Sequence, residues 1–337
     1  MAEPLAARVP RFLRPSGTPR IALTPATVLT VLAILAVLSI VFYMTWNVRG
    51  AWSFVIPFRG RKVMAIAMVG TAIAISTVLF QTVTNNRILT PAIMGFDALF
   101  SLVRTTQIFL LGGFAYATLD PQLQFAYETV LMVGLSTLLF RWLFSGGSHS
   151  LHLLVLVGIV FGVLFRSLSN LMQRLISPND YAVLQDVLFA GFSTVDQTLL
   201  VISSVAILIM GIWVWRLLPV LDVVALGREQ AINLGVDHRR VVSQVLVIVA
   251  VLVSVSTALV GPVTFFGLLV ANLAYLLIRS HRHALILPAA ILLSIICLIG
   301  GQAILEHLLG FNSALSIIIE FAGGIVFLII LLRGARR

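Results

Sequence analysis

Charged side chains, and lysine above all, are scarce in this chain. Of its 337 residues, 10% are charged and 60% are hydrophobic, and the mean hydropathy is +1.10. The single lysine, Lys62, follows an arginine and precedes a valine. A Walker A nucleotide-binding loop needs Gly-Lys followed by Ser or Thr, so the chain carries no such loop. The composition excludes an ordinary soluble domain and predicts a protein that lies mostly in lipid.

Cysteine and the common catalytic patterns are also nearly missing. The one cysteine, Cys297, lies inside an apolar run, which excludes a disulfide framework and a cysteine metal cluster. The pairs His149/His152 and His281/His283 have no Glu or Cys at ligand spacing. GxSxG, HExxH and paired-carboxylate signatures are absent as well. The sequence therefore predicts neither an enzyme nor a metal site, and we expect no cofactor in the chain itself.

Long apolar runs dominate what is present. Each is long enough to cross a bilayer, which takes about 20 helical residues. Because backbone polar groups must be paired inside hydrocarbon, these runs are predicted to be helices. We predict an all-α integral membrane protein of about ten transmembrane helices, at residues 23–45, 63–82, 95–113, 124–143, 151–170, 195–215, 242–260, 263–279, 284–303 and 315–332.

The distribution of arginine predicts the orientation of these helices. Four arginines precede the first run, and the run itself, at 21–43, is too long for the apolar core of a signal peptide. With the N-terminus inside, most other arginines also fall on the inner side, as the positive-inside rule requires. We expect a basic cytoplasmic tail at 1–20, one membrane domain at 21–333, and a cytoplasmic C-terminus. The net charge of +10 then reflects topology and not nucleic-acid binding.

One predicted outer loop breaks that rule, since it contains Arg49, Arg59, Arg61 and Lys62. These side chains could extend to the level of the lipid head groups. Alternatively, they form an outward basic patch that receives an acidic partner.

A polar, charge-mixed segment, DVVALGREQAINLGVDHRR at Asp222–Arg240, lies between two predicted spans on the inner side. Its glycines, Gly227 and Gly235, bracket a short helix-like stretch. Because the rest of the chain is so apolar, this segment is the part best suited to contact a soluble partner.

Ionisable residues inside the predicted spans are costly and therefore informative. Asp97 and Arg104 lie in the third span, Arg166 in the fifth and Glu320 in the tenth. They could pair structurally inside the bundle, or they could form a proton relay or substrate site. Gly158 and Gly162 form a GxxxG motif, which favours close helix packing within the chain, or a subunit interface or pore wall.

Four segments of the chain, which follow one another in the order found in the family, resemble the permease subunits of ABC importers for iron–siderophores, haem and cobalamin, the type II importers. The resemblance covers about residues 20–333. Three residues depart from the family pattern, since Ala271-Asn272 stand in place of Pro-His and Arg61 in place of a proline. The segments are RGRKVMAIAMVGTAIAISTVLFQTVTNNRILTPAIMGFDALF (59–100), LVLVGIVFGVLF (154–165), the Asp222–Arg240 segment with its ALG…A..LGV pattern, and VGPVTFFGLLVANLAYLLIRS (260–280).

The resemblance implies specific site residues. Arg59 and Lys62, with Arg61 between them, would receive acidic residues of a substrate-binding protein. A coupling helix at about 222–237 would sit in a groove of an ATPase subunit. A cytoplasmic gate would lie at Ser150, Leu151 and His152, and a translocation path would be lined near Arg104, Arg166 and Glu320. The coupling positions are Ala225, Gly227, Glu229, Ala231, Leu234 and Gly235.

The resemblance also implies a function and partners. The chain would be one of two permease subunits, in a homodimer or a heterodimer, in the bacterial inner membrane. Separate ATPase subunits would bind ATP and Mg, and the variant NNRILTPAIMGFDAL suggests a subgroup for ferric siderophores, often catecholates. The alternative is a proton-coupled secondary transporter that uses Asp97, Arg104, Arg166 and Glu320. Against it stands the lack of an inverted repeat and of broken midplane helices.

Overall fold

The computed structural model of the chain describes residues 24–48, 50–145, 151–189, 191–192, 195–307 and 315–334. All regular secondary structure within these ranges is helical. The helices are α1 (Pro25–Thr45), α2 (Trp52–Thr84), α3 (Ala92–Leu111, with a π-helical first turn), α4 (Gly113–Ala117), α5 (Pro121–Ser145), α6 (Leu151–Leu175), α7 (Pro178–Leu188), α8 (Gln197–Val224), α9 (Arg228–Asn233), α10 (His238–Val260), α11 (Phe266–Ile278), α12 (His283–His307) and α13 (Leu315–Gly334).

Each of the ten predicted spans overlaps one of these helices. In the described part of the chain, seven are long and apolar enough to cross a membrane, namely α1, α2, α3, α6, α8, α10 and α12. Helix α11 has only 13 residues because the helical conformation is interrupted before it at Gly261-Pro262, where Gly261 has a φ of +97°. The all-helical, multi-pass architecture is confirmed, and the count of ten spans stays a prediction.

The two ends of the bundle are distinguished by two short helices. Helix α8 has 28 residues, a length of about 42 Å at 1.5 Å per residue. It begins shortly after α7 and leads directly into α9. Helices α7 and α9 therefore lie at opposite ends of the bundle, which we call the α7 end and the α9 end.

Helices α2 and α10 form the centre of the bundle. From Ala65 to Thr84 most α2 side chains are buried, and α10 is buried along most of its length. Helix α2 packs against α8, α10, α11 and α12. In contrast, α1, α6 and α8 expose large apolar side chains such as Val37, Val163 and Leu208. Surfaces of this kind are suited to lipid contact.

A close backbone approach joins α3 to α6. Gly95, in the first turn of α3, has a φ of +97°, and a Cβ atom there would lie 2.8 Å from the Cα of Gly162. A Cβ on Gly158 would lie 2.9 Å from the Met94 side chain. The GxxxG motif of α6 therefore packs within the chain, as the first of the alternatives predicted.

A buried ion pair holds α2 to α12 at the α7 end. The Lys62 ammonium lies 2.7 Å from Oε1 of Glu306, and the two side chains are 5% and 8% exposed. The same Glu306 oxygen accepts hydrogen bonds from the Tyr43 hydroxyl (2.8 Å) and the Gln302 amide (2.8 Å). The contact therefore connects α1, α2 and α12.

Lys62→Met should destabilise the protein because it leaves the Glu306 carboxylate buried without a cation. Losing one partner of a buried pair costs about 3–5 kcal/mol, and we expect the lower end because Tyr43 and Gln302 still donate to Glu306. The double variant Lys62→Met/Glu306→Gln should recover most of the loss. Unfolding of the detergent-solubilised protein measures this, and equal stability of the single and double variants would contradict it.

Candidate functional site

The predicted coupling segment folds as a short helix between two glycine turns. Residues 222–224 complete α8, and α9 follows as the six residues Arg228–Asn233. Gly227 has a φ of +103° and Gly235 a φ of +84°, a region that residues with a Cβ atom rarely adopt. The backbone amide of Ala231 donates to Gly227 O (3.0 Å), and that of Val236 donates to Ala231 O (3.0 Å). These bonds fix α9 firmly between its two turns.

The two faces of α9 differ in what they contact. Ala231 is fully buried and faces the bundle, where α9 packs against α8 and α10. Exposed to solvent are Ile232 of α9 (51%) and two residues of the flanking turns, Leu226 (59%) and Leu234 (62%), beside the exposed Glu229. Large apolar side chains exposed in an otherwise polar loop are typical of a protein-binding surface. We call Leu226, Ile232 and Leu234 the α9 face.

The α9 face modifies the list of coupling residues predicted from the sequence. Leu234 and Glu229 are displayed outward, as a contact with a partner requires. Ala231 instead attaches α9 to its own bundle. Ile232 is also exposed and is absent from the list predicted from the sequence, although its apolar side chain in this polar segment was a signal for including it.

A second feature at the α9 end was also missed. Oδ1 of Asp222, near the end of α8, lies 2.6 Å from Nδ1 of His283 and accepts the His283 backbone N–H at 2.8 Å. Nε2 of His283 lies 2.7 Å from the Thr82 hydroxyl of α2. We call these three residues the Asp222–His283–Thr82 junction. Its members are 61 and 201 residues apart, so the sequence held no local signal for it.

The three basic residues predicted for docking differ in their surroundings. Arg59 donates to the carbonyl oxygens of Tyr43 (2.8 Å), Met44 (3.2 Å) and Trp46 (2.8 Å) and so caps the end of α1. The ammonium of Lys62 is buried against Glu306. Arg61 is exposed to solvent on the same turn of α2. Of the three, Arg61 is best placed for an external partner.

The intramembrane charges fall into two groups. Asp97 on α3 hydrogen-bonds Thr264, is attracted electrostatically by Arg166 on α6, and is repelled by Glu320 on α13. Arg166 is exposed on α6, and Glu320 is half-buried on α13. A role of Arg166 and Glu320 in the translocation path stays a prediction.

Arg104 belongs to a separate, structural cluster. Its Nη2 donates to Oε2 of Glu128 (3.0 Å), its Nε lies 2.9 Å from the other carboxylate oxygen, and its Nη1 donates to the Val187 carbonyl (3.1 Å). Glu128 is fully buried. These contacts hold α3 against α5 and α7. The charge of Arg104 is compensated inside the chain, which leaves little of it for an anionic substrate, and its predicted path role stays a prediction.

The predicted cytoplasmic gate lies at the edge of what the structure describes. Ser150 is outside the described residues, and Leu151 and His152 begin α6 with side chains outside the described part. Within the described ranges, no group of three or more His, Cys, Asp or Glu side chains is arranged to hold a metal ion.

Two relatives match most of the chain. It is 46% identical over 284 residues to the petrobactin import system permease protein YclO of Bacillus subtilis (strain 168), which covers 84% of this chain and 90% of that protein. It is 36% identical over 283 residues to the petrobactin import system permease protein FatC of Bacillus anthracis, with coverages of 83% and 80%.

The fold resembles that of a solved metal-chelate type ABC transporter in an inward-facing conformation. The TM-score is 0.81 over 92% of this chain and 99% of that chain, at 20% sequence identity, so this likeness concerns the fold alone. The profile of the FecCD transport family matches residues 23–333. The family resemblance predicted from the sequence is confirmed, and the chain belongs to the FecCD transport family.

Proposed function

We propose that the chain is the transmembrane permease subunit of an ATP-driven importer that moves a ferric siderophore across the bacterial plasma membrane. The observation that carries the proposal is the apolar α9 face, displayed between two glycine turns in a chain of the FecCD transport family. Its relatives YclO and FatC are permeases for petrobactin import, which favours a siderophore of that kind as substrate.

The chain takes no part in the chemistry of ATP in this proposal. Its one lysine cannot form a Walker A loop, so ATP and Mg are bound by separate ATPase subunits. Nucleotide drives transport only if it stabilises one opening state of the permease more than the other. That difference in free energy has to reach the membrane domain through a contact between the ATPase and this chain.

The proposed topology places the α9 end in the cytoplasm. The basic tail at 1–20 and the C-terminus lie on the same side, and residues 21–333 cross the membrane in ten helices. A second permease subunit, identical or related, completes the path. The gate at Ser150, Leu151 and His152 would close its cytoplasmic mouth.

The α9 face is proposed to fill a groove on the ATPase subunit. Burying Leu226, Ile232 and Leu234 in that groove would stabilise the complex by about 25 cal/mol per Å² of apolar surface removed from water. The buried Ala231 packs α9 against its own bundle, so the α9 face can move together with the bundle as a rigid unit.

Leu234→Asp should weaken the association with the ATPase. Burying a leucine side chain contributes about 1.5–3 kcal/mol, so we expect affinity to fall about tenfold to a hundredfold. Co-purification of the ATPase subunits with the permease measures this, alongside ATP-dependent uptake. Asn233→Asp adds the same charge on the neighbouring exposed position and removes no apolar contact. Equal co-purification of the two variants would contradict an interface at the α9 face.

Docking of a substrate-binding protein is proposed at the α7 end, with Arg61 as the displayed charge. Arg59 and Lys62 support this surface from within, since one caps α1 and the other pairs with Glu306. A single exposed charge acts mainly on the rate of association and is screened by salt.

Arg61→Gln should slow the association of the binding protein by about two- to fivefold at low ionic strength, as expected for an exposed charge. Arg61→Lys keeps the charge and should keep most of the rate. The difference between the two variants should shrink as salt is added. Binding to permease in nanodiscs measures the rates, and equal rates for Arg61→Gln and the unmodified protein at low salt would exclude this role.

The proton-coupled alternative gains no support from the relatives, since YclO and FatC are permease proteins of import systems. Of its four residues, Arg104 is already paired with the buried Glu128.

A further inference from the structure

We propose that the Asp222–His283–Thr82 junction transmits the displacement of α9 to the pair of helices α2 and α12. The inference rests on the proposed coupling of α9 to an ATPase. It assigns positioning roles to three residues that lie outside the coupling segment's contact face, at the ends of three different helices.

The junction fixes where α12 begins. His283 is the first residue of α12, and its backbone N–H has no partner within its own helix. Oδ1 of Asp222 accepts this N–H at 2.8 Å, and the His283 ring nitrogen Nδ1 lies 2.6 Å from the same oxygen. A carboxylate also suits the positive end of a helix dipole. The end of α8 therefore supplies the cap that α12 lacks locally.

The junction also connects α12 to α2. The His283 ring is buried, and its Nε2 lies 2.7 Å from the Thr82 hydroxyl. Both ring nitrogens thus have partners, one on α8 and one on α2. Since a buried imidazole that loses a partner leaves a polar atom unsatisfied, these helix ends are expected to move together.

The position of Asp222 links the junction to α9. Asp222 lies two residues before the end of α8 at Val224, and α9 starts after the turn at Gly227. The backbone bonds Leu226 N to Val223 O (3.1 Å) and Gly227 N to Val224 O (3.0 Å) make this connection a tight turn. A force on the α9 face is therefore applied within a few residues of the carboxylate that holds α12.

The far end of the same helix pair is closed by the Lys62–Glu306 ion pair. Lys62 and Thr82 are 20 residues apart on α2, a distance of about 30 Å along the helix. Helices α2 and α12 are thus joined at both ends and can shift as a unit. The junction connects α8, and through α8 the helix α9, to this helix pair at the α9 end.

A purely structural role would lower stability and leave the efficiency of coupling unchanged. The measurement that separates the two roles is the amount of substrate imported per ATP hydrolysed. It uses the complete transporter, with ATPase subunits and binding protein, in proteoliposomes, and iron-loaded petrobactin as the probe.

Thr82→Val is the principal variant because it leaves the Asp222 cap of α12 intact. Thr84→Val is its matched control, since both hydroxyls donate to a carbonyl one turn back, at 2.8 Å and 2.7 Å, and the Thr84 hydroxyl bonds to carbonyls of α2 itself, those of Phe80 and Gln81. Thr82 also bonds the Tyr275 hydroxyl, so Tyr275→Phe controls for that contact. We expect import per ATP to fall about fivefold in Thr82→Val, as the loss of one hydrogen bond from the coupling free energy implies, and to stay unchanged in both controls.

Asp222 gives a graded test of the same contact. Asp222→Ala should lower import per ATP at least as much as Thr82→Val, and Asp222→Asn, whose amide oxygen can still accept the His283 N–H, should restore part of it. If import per ATP is unchanged in Thr82→Val and Asp222→Ala while the complexes assemble, the inference is wrong. Should Asp222→Ala fail to assemble, Thr82→Val decides alone. The unmodified transporter is measured first, and if its uptake does not need ATP, the proposed function itself fails.

Discussion

The packing of α2 against α12 is the contact on which the rest of the structure depends. Helix α2 lies at the centre of the bundle together with α10, and most of its side chains from Ala65 to Thr84 are buried. In a membrane the apolar surfaces of two helices gain little by leaving lipid, so close packing and polar contacts have to hold them. Lys62–Glu306 at one end and Thr82–His283 at the other provide such contacts.

Both candidate surfaces are attached to this pair of helices. At the α7 end, Arg59 caps α1, and the exposed Arg61 immediately precedes the buried lysine. At the α9 end, Asp222 connects α12 to α8, the helix that precedes α9. A protein bound at one end and an ATPase bound at the other would therefore act on the same two helices. Because both surfaces rest on the same two helices, binding at one surface can be coupled mechanically to binding at the other, without a proton relay through the chain.

Local patterns in the sequence were enough to predict the long helices and the short helix of the polar segment, whose coupling role stays a prediction. The spans follow from apolar length alone, and Gly227 and Gly235 marked the turns around α9 because they are glycines in a polar segment. Contacts between distant residues could not be predicted in this way. Lys62 and Glu306 are 244 residues apart, and Arg104 and Glu128 are 24 apart on different helices. The sequence alone does not distinguish a basic residue that faces solvent, such as Arg61, from one that pairs with a buried carboxylate, such as Lys62.

The energy source is the most direct measure of the proposed function. Uptake of iron-loaded petrobactin would be followed in proteoliposomes that contain the permease, its ATPase subunits and the binding protein. Uptake is predicted to require both partner proteins and ATP on the side of the membrane that holds the ATPase subunits. It should continue when an ionophore collapses the proton gradient. Uptake that stops with the ionophore and proceeds without ATP would contradict an ABC permease and favour a proton-coupled transporter.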